Sequence, residues 1–257
     1  MREARLILLP GLGADARLLG PQKAAFGHAV ETPDWLEPEG DESLERYARR
    51  WAEALRDESD ERPVFVGGVS FGGIVAMHMA EALRPEAVVL IASCRSSDDV
   101  PMRFEIAQRL GSFVPDATVG KLLPLLAIPF AVLDGLDSDH LKLLRSMAKD
   151  TDPALLQWAG RAVANWQFDL AHELPCPVHR IHGARDWVIP YRGDGEGHPG
   201  EPTEVLPHGK HLINLTLDRT VNGWLRGVVQ RHNATLPDLP VRPPQRRDTP
   251  TYLASAT

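Results

Sequence analysis

The chain has 257 residues, which is long enough for one large domain with a sizeable core. Its 28 basic and 35 acidic side chains give a formal net charge of −7 without a long basic run, which argues against nucleic acid or an anionic membrane as a partner. The apolar runs at residues 6–9 and 122–133 are too short for a secretory signal and a membrane span, respectively, so we expect a cytoplasmic protein. Cys94 and Cys176 lie in apolar, strand-like segments, which favours buried thiols over a disulfide or a metal pair.

The glycine-rich loop after the first predicted strand, residues 4–9, has two interpretations. It fits the dinucleotide-binding pattern G-x-G-x-x-A, and Glu31 stands at about the spacing that a ribose-binding acid needs. Against this, the pair Gly20-Pro21 would break the pyrophosphate-binding helix almost where it begins. In the other interpretation, which the sequence favours, the backbone amides of the loop, chiefly that of Leu12, help to bind an oxyanion. The residues of the fingerprint are Gly11, Gly13 and Ala16.

Strands and helices alternate in the next part of the chain. The predicted strands span residues 28–32, 64–69 and 87–92, and the predicted helices span residues 42–56 and 74–83. The second and third of these strands are continuous apolar, β-branched runs, as in parallel sheets that are buried on both faces. The order and spacing of these elements predict parallel βαβ units. Trp35, in the loop after the predicted strand at residues 28–32, either lines a pocket or covers the end of that strand.

The turn between the second of these strands and its helix carries the sequence Gly68-Val69-Ser70-Phe71-Gly72, which fits G-x-S-x-G. A serine on so sharp a turn must adopt strained backbone angles, and the flanking glycines relieve the crowding. The hydroxyl of Ser70 then stands clear of the backbone at the start of a helix, and the amide of Phe71 points at the same small volume. We therefore interpret Ser70 as a nucleophile, although a plain glycine-rich turn with an incidental serine is the alternative.

No convincing strand is predicted over residues 98–172, where apolar helical segments are broken by prolines. The best helices span residues 103–110, 141–147 and 153–166, and the prolines are Pro101, Pro115, Pro124, Pro129 and Pro153. A helical block inserted into an α/β sheet is typical of a cap over an active site, where its apolar faces form an acyl pocket. The alternative is that these side chains only pack the cap onto the body of the protein. The candidate pocket residues are Trp35, Phe104, Phe130, Trp158 and Trp187.

Strand character resumes at residues 177–181, and Asp186 lies just past the carboxyl end of that strand. Ligands bind at this edge of open α/β sheets. A last short strand, residues 203–206, leads through a loop containing His211 into a helix at residues 212–230. Two polar side chains that can take part in catalysis therefore follow strands, as Ser70 does.

In this order Ser70, Asp186 and His211 resemble the serine, acid and histidine of the α/β-hydrolase superfamily. The chain is similar to its small capped carboxylesterase and lipase-like branch over residues 4–230. Four motifs carry the resemblance: P-G-L-G, G-V-S-F-G, H-G-A-R-D-W-V-I-P and G-K-H-L-I-N. Pro10 replaces the histidine usual before the oxyanion glycine, and residues 191–202 are glycine-rich where the family has a helix.

The resemblance implies a role for each residue of this set. His211 takes the proton of Ser70 during attack and returns it to the leaving group. Asp186 fixes the tautomer of the imidazole and stabilises the imidazolium. The amides of Leu12 and Phe71 stabilise the tetrahedral oxyanion, each such donor being worth about 3 kcal/mol.

Other assignments are weaker on the sequence. His208 lies on the same loop as His211 but does not open the final helix, and Asp98 and Asp99 are reserve candidates for the acid. His179 and His182 are three positions apart on an extended strand, so they face opposite sides and do not chelate one metal.

We therefore expect an α/β fold with a mostly parallel, doubly wound sheet and an inserted helical cap. The core takes residues 1–97 and 173–232, the cap residues 98–172, and residues 233–257 form a mobile, proline-rich tail. The expected function is hydrolysis of a small-molecule ester with a small or medium acyl group, without cofactor or metal. Three alternatives stay open: a thioesterase, a cofactor-free lyase, and a ligand-binding or signalling protein without catalysis.

Overall fold

The structure is a computed structural model that describes residues 2–102, 116–168, 174–193 and 203–237. The strands of these residues are β1 (Arg2–Glu3), β2 (Arg5–Leu9), β3 (Val30–Glu31), β4 (Val64–Val69), β5 (Ala87–Ile91), β6 (Val178–Gly183), β7 (Glu204–Leu206) and β8 (Ala234–Thr235). The helices are α1 (Gly20–Phe26), α2 (Leu44–Leu55), α3 (Phe71–Leu83), α4 (Asp116–Asp134), α5 (Ser138–Asp150), α6 (Pro153–Ala164), α7 (Ile213–Thr216) and α8 (Asp218–Arg231).

Six parallel strands form the central sheet in the spatial order β3-β2-β4-β5-β6-β7. In register, Val69 of β4 lies beside Ile91 of β5, which lies beside Ile181 of β6. Because the strands are parallel, the residues that follow β4, β6 and β7 meet at one edge of the sheet. The predicted α/β class and parallel sheet are confirmed, and this edge holds all three candidate catalytic residues.

Both faces of the sheet are covered, which explains the continuous apolar strands. All five residues of β2 are buried, and alternate side chains enter two separate cores. Leu6 and Leu8 pack in one core with Phe26 of α1 and Leu225 of α8. The side chains that point the other way pack with α2 and α3 in the second core. The sheet is therefore a rigid, doubly covered platform for the loops at its carboxyl edge.

The part of the chain between β5 and β6 differs from the prediction at two prolines. Pro124 and Pro129 were predicted to break the helical segments, but both lie inside the single 19-residue helix α4. A proline inside a helix costs about 3 kcal/mol, since it removes a hydrogen bond and crowds the preceding turn. Helix α4 packs along α5 and contacts α6, and that packing offsets the cost. The predicted helix at residues 103–110 lies outside the described residues.

The predicted tail is wrong for its first residues. Strand β8 pairs in parallel with β1, and the amide of Ala4 donates to the carbonyl of Thr235 at 2.8 Å. Ala234 and Leu236 are buried at 0% and 3% exposure. Two backbone pairs and two buried side chains are enough to hold this short segment, which has too few residues for a strand pattern. Residues 238–257 lie outside the described part of the chain.

The predicted final helix, residues 212–230, is also two helices, α7 and α8, which meet at Leu217. Among the described helices, none is both long enough and apolar enough to cross a bilayer. The division into core and cap stays a prediction, since only α4, α5 and α6 represent the cap here.

Candidate active site

Ser70 occupies a strained backbone position between β4 and α3, as the sequence predicts. Its φ is 53° and its ψ is −121°. Residues other than glycine rarely adopt a positive φ. Three hydrogen bonds hold the residue there. The amide of Ser70 donates to Ile91 O at 3.0 Å, and Ser70 O accepts from Ser93 Oγ at 2.7 Å and from Gly73 N at 3.0 Å. The neighbouring strand thus fixes the turn that presents the hydroxyl.

The glycines beside Ser70 are required by close backbone approach. A Cβ atom on Gly72 would collide with the carbonyl oxygens of Leu9 and Pro10, and one on Gly73 would collide with Ser93. Gly68 is equally enclosed, with Gly72 and Leu9 in the way of a side chain. The loop after β2 can therefore lie directly against the serine turn.

Asp186 and His211 form a buried pair at the same edge. Nδ1 of His211 lies 2.8 Å from Oδ2 of Asp186, and each residue is 4% exposed. The other carboxylate oxygen, Oδ1, accepts from the amides of Val188 at 2.8 Å and Ile189 at 2.9 Å. These bonds fix the carboxylate of Asp186. Because Asp186 pairs with Nδ1 of His211, the other ring nitrogen, Nε2, is the one that can exchange a proton with a substrate or nucleophile.

His182 supports this acid from the strand below. Its Nε2 lies 2.8 Å from Ile189 O and 3.3 Å from Oδ2 of Asp186. Burial works to raise the pKa of Asp186, but hydrogen bonds from His182 and His211 outweigh it and hold that pKa below its ordinary value. The carboxylate is therefore ionised at neutral pH. Its contribution to stability is present above the ordinary aspartate pKa of about 3.9 and is lost as pH falls through the lowered folded pKa.

The hydroxyl of Ser70 makes no hydrogen bond with any residue that the structure describes. The structure thus joins Asp186 to His211 and places Ser70 at their edge of the sheet without a bond to His211. Catalytic hydrogen bonds are often long in ligand-free sites and tighten when substrate binds. The three-residue set as a working unit stays a prediction.

The loop after β2 lies against Ser70. A Cβ atom built on Gly11 falls 3.6 Å from Cβ of Ser70, an ordinary contact distance. The side chain of Leu12 is exposed, and Phe71 begins α3. Among the described turn, loop and cap hydrogen bonds, none is donated by the backbone amide of Leu12 or that of Phe71. Their role as donors of an oxyanion hole stays a prediction.

A cavity of about 380 Å³ opens beside this loop. Its lining includes Leu12, Phe71 and Trp35, whose indole donates to Ala14 O at 3.0 Å. Trp158 lies behind Phe71 at 3% exposure and donates to Glu42 O at 3.0 Å, which leaves little of its surface for a ligand. The cavity therefore carries one of the predicted pocket residues, Trp35, on its wall.

The remaining pocket candidates lie near the histidine. The rings of Phe130 and Trp187 are 5.1 Å apart, and the ring of Phe130 is 6.2 Å from that of His211. Phe130 of α4 therefore borders the imidazole, and Trp187, from the loop after β6, packs against Phe130. Phe104 lies outside the described residues.

Glu31, the acid that the dinucleotide interpretation needs for the ribose, is paired with two arginines in this structure. The carboxylate of Glu31 is bound by Arg5 at 2.8 Å and by Arg62 at 3.4 Å. The segment that would begin the pyrophosphate-binding helix is instead a 3₁₀ turn, Ala16–Leu19, and α1 begins only at Gly20. These contacts favour the interpretation in which the loop after β2 packs against the serine turn over the one in which it binds a dinucleotide.

The other reserve assignments also find different partners. Asp99 lies 3.3 Å from the buried Arg180, and His208 is exposed. His179 faces His232 at 3.0 Å, on the side of β6 opposite to His182, as predicted. Within the described ranges, no cluster of three histidine, cysteine or acidic residues could hold a metal ion.

The two cysteines are free thiols, Cys94 buried and Cys176 partly buried. Burial raises the pKa of Cys176 to about 11 and raises that of Cys94 as well. Neither thiol therefore supplies a thiolate nucleophile at neutral pH.

Sequence reasoning missed two residues of the site, Asp134 and His182. The Asp134 side chain lies against the backbone of His211 although the two are 77 positions apart. Asp134 ends an apolar helix, and no motif marks it. His182 stood inside the H-G-A-R-D motif, but its contact with Asp186 depends on the path of the turn between them.

Comparisons with known proteins identify the family and agree with the fold. Residues 6–223 match the profile of the alpha/beta hydrolase family. Among solved structures, the chain is similar to a putative aryl esterase from Burkholderia cenocepacia, with a TM-score of 0.66 and 18% identity over 90% of this chain and 91% of that one. No curated protein matches the sequence.

Two further structures extend the range of named activities. A type II thioesterase, BorB from the borrelidin biosynthetic cluster, has a TM-score of 0.58 and 18% identity over 90% of this chain and 92% of that one. An epoxide hydrolase from Bacillus megaterium has a TM-score of 0.66 and 14% identity over 90% of this chain and 95% of that one. At such identities the likeness establishes the shared fold alone.

Proposed function

The chain belongs to the alpha/beta hydrolase family, and we propose that it is a serine hydrolase that cleaves carboxylic esters with a small or medium acyl group. The observation that carries this proposal is the buried His211–Asp186 pair, with 2.8 Å between Nδ1 and Oδ2, at the sheet edge where Ser70 is presented. A histidine held by a buried carboxylate beside a strained, glycine-flanked serine is the arrangement that activates a serine hydroxyl.

In the first half of the reaction, Oγ of Ser70 forms a bond to the ester carbonyl carbon while Nε2 of His211 takes the hydroxyl proton. The tetrahedral intermediate collapses, the bond to the alcohol oxygen breaks, and His211 returns the proton to that oxygen. The acyl group is left on Ser70. Asp186 stabilises the transient imidazolium, because its carboxylate is ionised and already bound to Nδ1.

In the second half, water replaces the alcohol. His211 takes a proton from the water while the water oxygen attacks the acyl carbon. The bond from that carbon to Oγ of Ser70 then breaks, His211 returns the proton to Oγ, and the acid product leaves. In both halves the carbonyl oxygen carries negative charge, and the amides of Leu12 and Phe71 are the donors proposed to stabilise it. The N-terminal end of α3 adds a favourable dipole at Phe71.

We assign the acyl group to the cavity beside the loop, which borders the serine turn through Leu12 and Phe71 and whose lining includes neither Ser70 nor His211. Its volume of about 380 Å³ is near the lower end of small-molecule pockets. Its lining holds the apolar side chains of Trp35 and Leu156 and includes five carboxylates, with no basic side chain among the lining residues. The carboxylates are Asp15, Asp34, Glu37, Asp150 and Asp152. Arg17 pairs with two of them, Asp15 and Asp150, so the preference for a neutral over an anionic acyl group rests on Asp34, Glu37 and Asp152.

A substrate screen tests this function. We expect purified protein to hydrolyse p-nitrophenyl acetate and butyrate, and to prefer both over the palmitate ester and over a hemisuccinate ester, whose acyl group carries a carboxylate. Acyl thioesters of the same chain lengths form the second arm. Faster turnover of thioesters would reassign the protein as a thioesterase, and no turnover of either class would contradict the proposal.

A further inference from the structure

Asp134 is a buried acid whose two oxygens both serve the histidine segment. It is the last residue of α4 and is 3% exposed. Its Oδ1 accepts from the amide of His211 at 2.8 Å, and its Oδ2 accepts from the amide of Leu212 at 2.9 Å. The indole of Trp187 also donates to Oδ1, at 3.3 Å. Asp134 takes no part in the proposed catalytic steps.

A second contact runs beside the first, again with the donor on the histidine segment and the acceptor on α4. Nζ of Lys210 donates to Leu133 O at 2.7 Å, so the residues before and at the histidine are bound to the last two residues of α4. Ring contacts of Phe130 with Trp187 and His211 lie on the same side. The end of α4 is therefore attached to the histidine segment through charge, backbone and aromatic contacts.

The histidine segment needs such support, because His211 lies between a three-residue strand, β7, and a four-residue helix, α7. Nδ1 fixes only the ring, through Asp186. A buried backbone amide that is left without an acceptor is costly. Asp134 accepts from the amides of His211 and Leu212, the two residues that precede α7, and so fixes the backbone from which the imidazole projects.

We propose that Asp134 is a positioning residue that holds His211 in the orientation needed to pair with Asp186 and to accept the proton of Ser70. The last part of this statement rests on the proposed function, whereas the pairing with Asp186 does not. The helix that carries Asp134 also carries Phe130 at the site. The region predicted to be the cap would then act on catalysis through the backbone of the base, as well as by covering the substrate.

Asp134→Asn is the sharpest variant, since it keeps the volume of the side chain. Both aspartate oxygens accept N–H groups, so an asparagine must turn its own NH₂ toward one of them and lose that bond. Asp137→Asn is the matched control. Asp137 lies at the exposed start of α5 and accepts both of its amides, those of Asp139 at 3.0 Å and His140 at 2.9 Å, on Oδ1 alone, so the asparagine can keep both bonds and the control isolates the Asp-to-Asn change itself.

Two measurements that need no substrate test the contact itself. Proton NMR should show a hydrogen-bonded Nδ1–H signal of His211 in the wild type and in Asp137→Asn, and a lost or shifted signal in Asp134→Asn. Amide exchange at His211 and Leu212 should accelerate in Asp134→Asn alone. An unchanged Nδ1–H signal in folded Asp134→Asn would overturn the proposal, as would equal effects of both variants.

Kinetics with p-nitrophenyl butyrate tests the consequence for catalysis. We expect Asp134→Asn to lower kcat by about 10- to 100-fold, because small displacements of a catalytic group are costly, while KM changes little. Asp137→Asn should keep both constants. A lower kcat matched by an equal loss in the control, or a change in KM alone, would contradict positioning. A wild type without turnover would reject the proposed function and leave the NMR result to decide on Asp134.

Discussion

Replacement of Ser70 by alanine is expected to abolish ester hydrolysis while the protein stays folded. The hydroxyl of Ser70 makes no hydrogen bond with the described residues, so its removal costs no structural contact. Alanine keeps Cβ and meets the same strain at φ 53° as serine does. In a serine protease with a Ser-His-Asp triad, loss of the serine nucleophile lowers kcat by about 10⁶. The measurement is the rate of p-nitrophenyl butyrate hydrolysis together with the circular dichroism melting curve.

Ser97→Ala is the control for the first variant. Its hydroxyl lies on the loop after β5, donates to Phe168 O at 3.2 Å and accepts from Phe168 N at 3.3 Å, so the same chemical change is made without touching the nucleophile. This variant should hydrolyse the ester at close to the wild-type rate. Substantial turnover by Ser70→Ala would show that the nucleophile is misplaced or that no acyl-enzyme forms.

His211→Ala and His208→Ala are expected to separate the base from its neighbour. His211 is buried and bound to Asp186, whereas His208 lies three positions earlier on the same loop with its side chain exposed. We expect His211→Ala to lower kcat by about 10⁴ or more, as removal of a catalytic base does. His208→Ala should change kcat little, because no step of the mechanism uses it.

These two histidine variants are compared at pH 7 with the same ester, and melting curves establish that both are folded. The result that would reassign the base is a larger loss in His208→Ala than in His211→Ala. Equal, small losses in both would mean that the hydrolysis does not depend on a histidine of this loop.

The local parts of the fold could be predicted from the sequence. The apolar, β-branched run of β4 and the amphipathic face of α2 follow from periodicity alone, and both elements are within two residues of their predicted ends. The serine turn could be predicted because its strain needs glycines at fixed positions. Asp186 could be placed because acids that follow parallel strands reach a common edge.

The parts that could not be predicted depend on contacts between distant segments. Helix α4 continues through Pro124 and Pro129 because neighbouring helices support it, and a local rule counts only the penalty of each proline. Strand β8 exists because β1 is there to pair with it. Asp134 reaches His211 across 77 positions, and no spacing rule connects the end of an apolar helix with a histidine loop.

Activation of Ser70 by His211 beside an oxyanion site can be tested with a fluorophosphonate probe. Such a probe forms a covalent bond only with a serine that a base activates, whatever the natural substrate. Mass spectrometry of digested wild-type protein should find the adduct on Ser70, while Asp186→Asn should label more slowly and His211→Ala hardly at all. Folded wild-type protein whose Ser70 stays unlabelled, or which labels at another residue, would contradict the account.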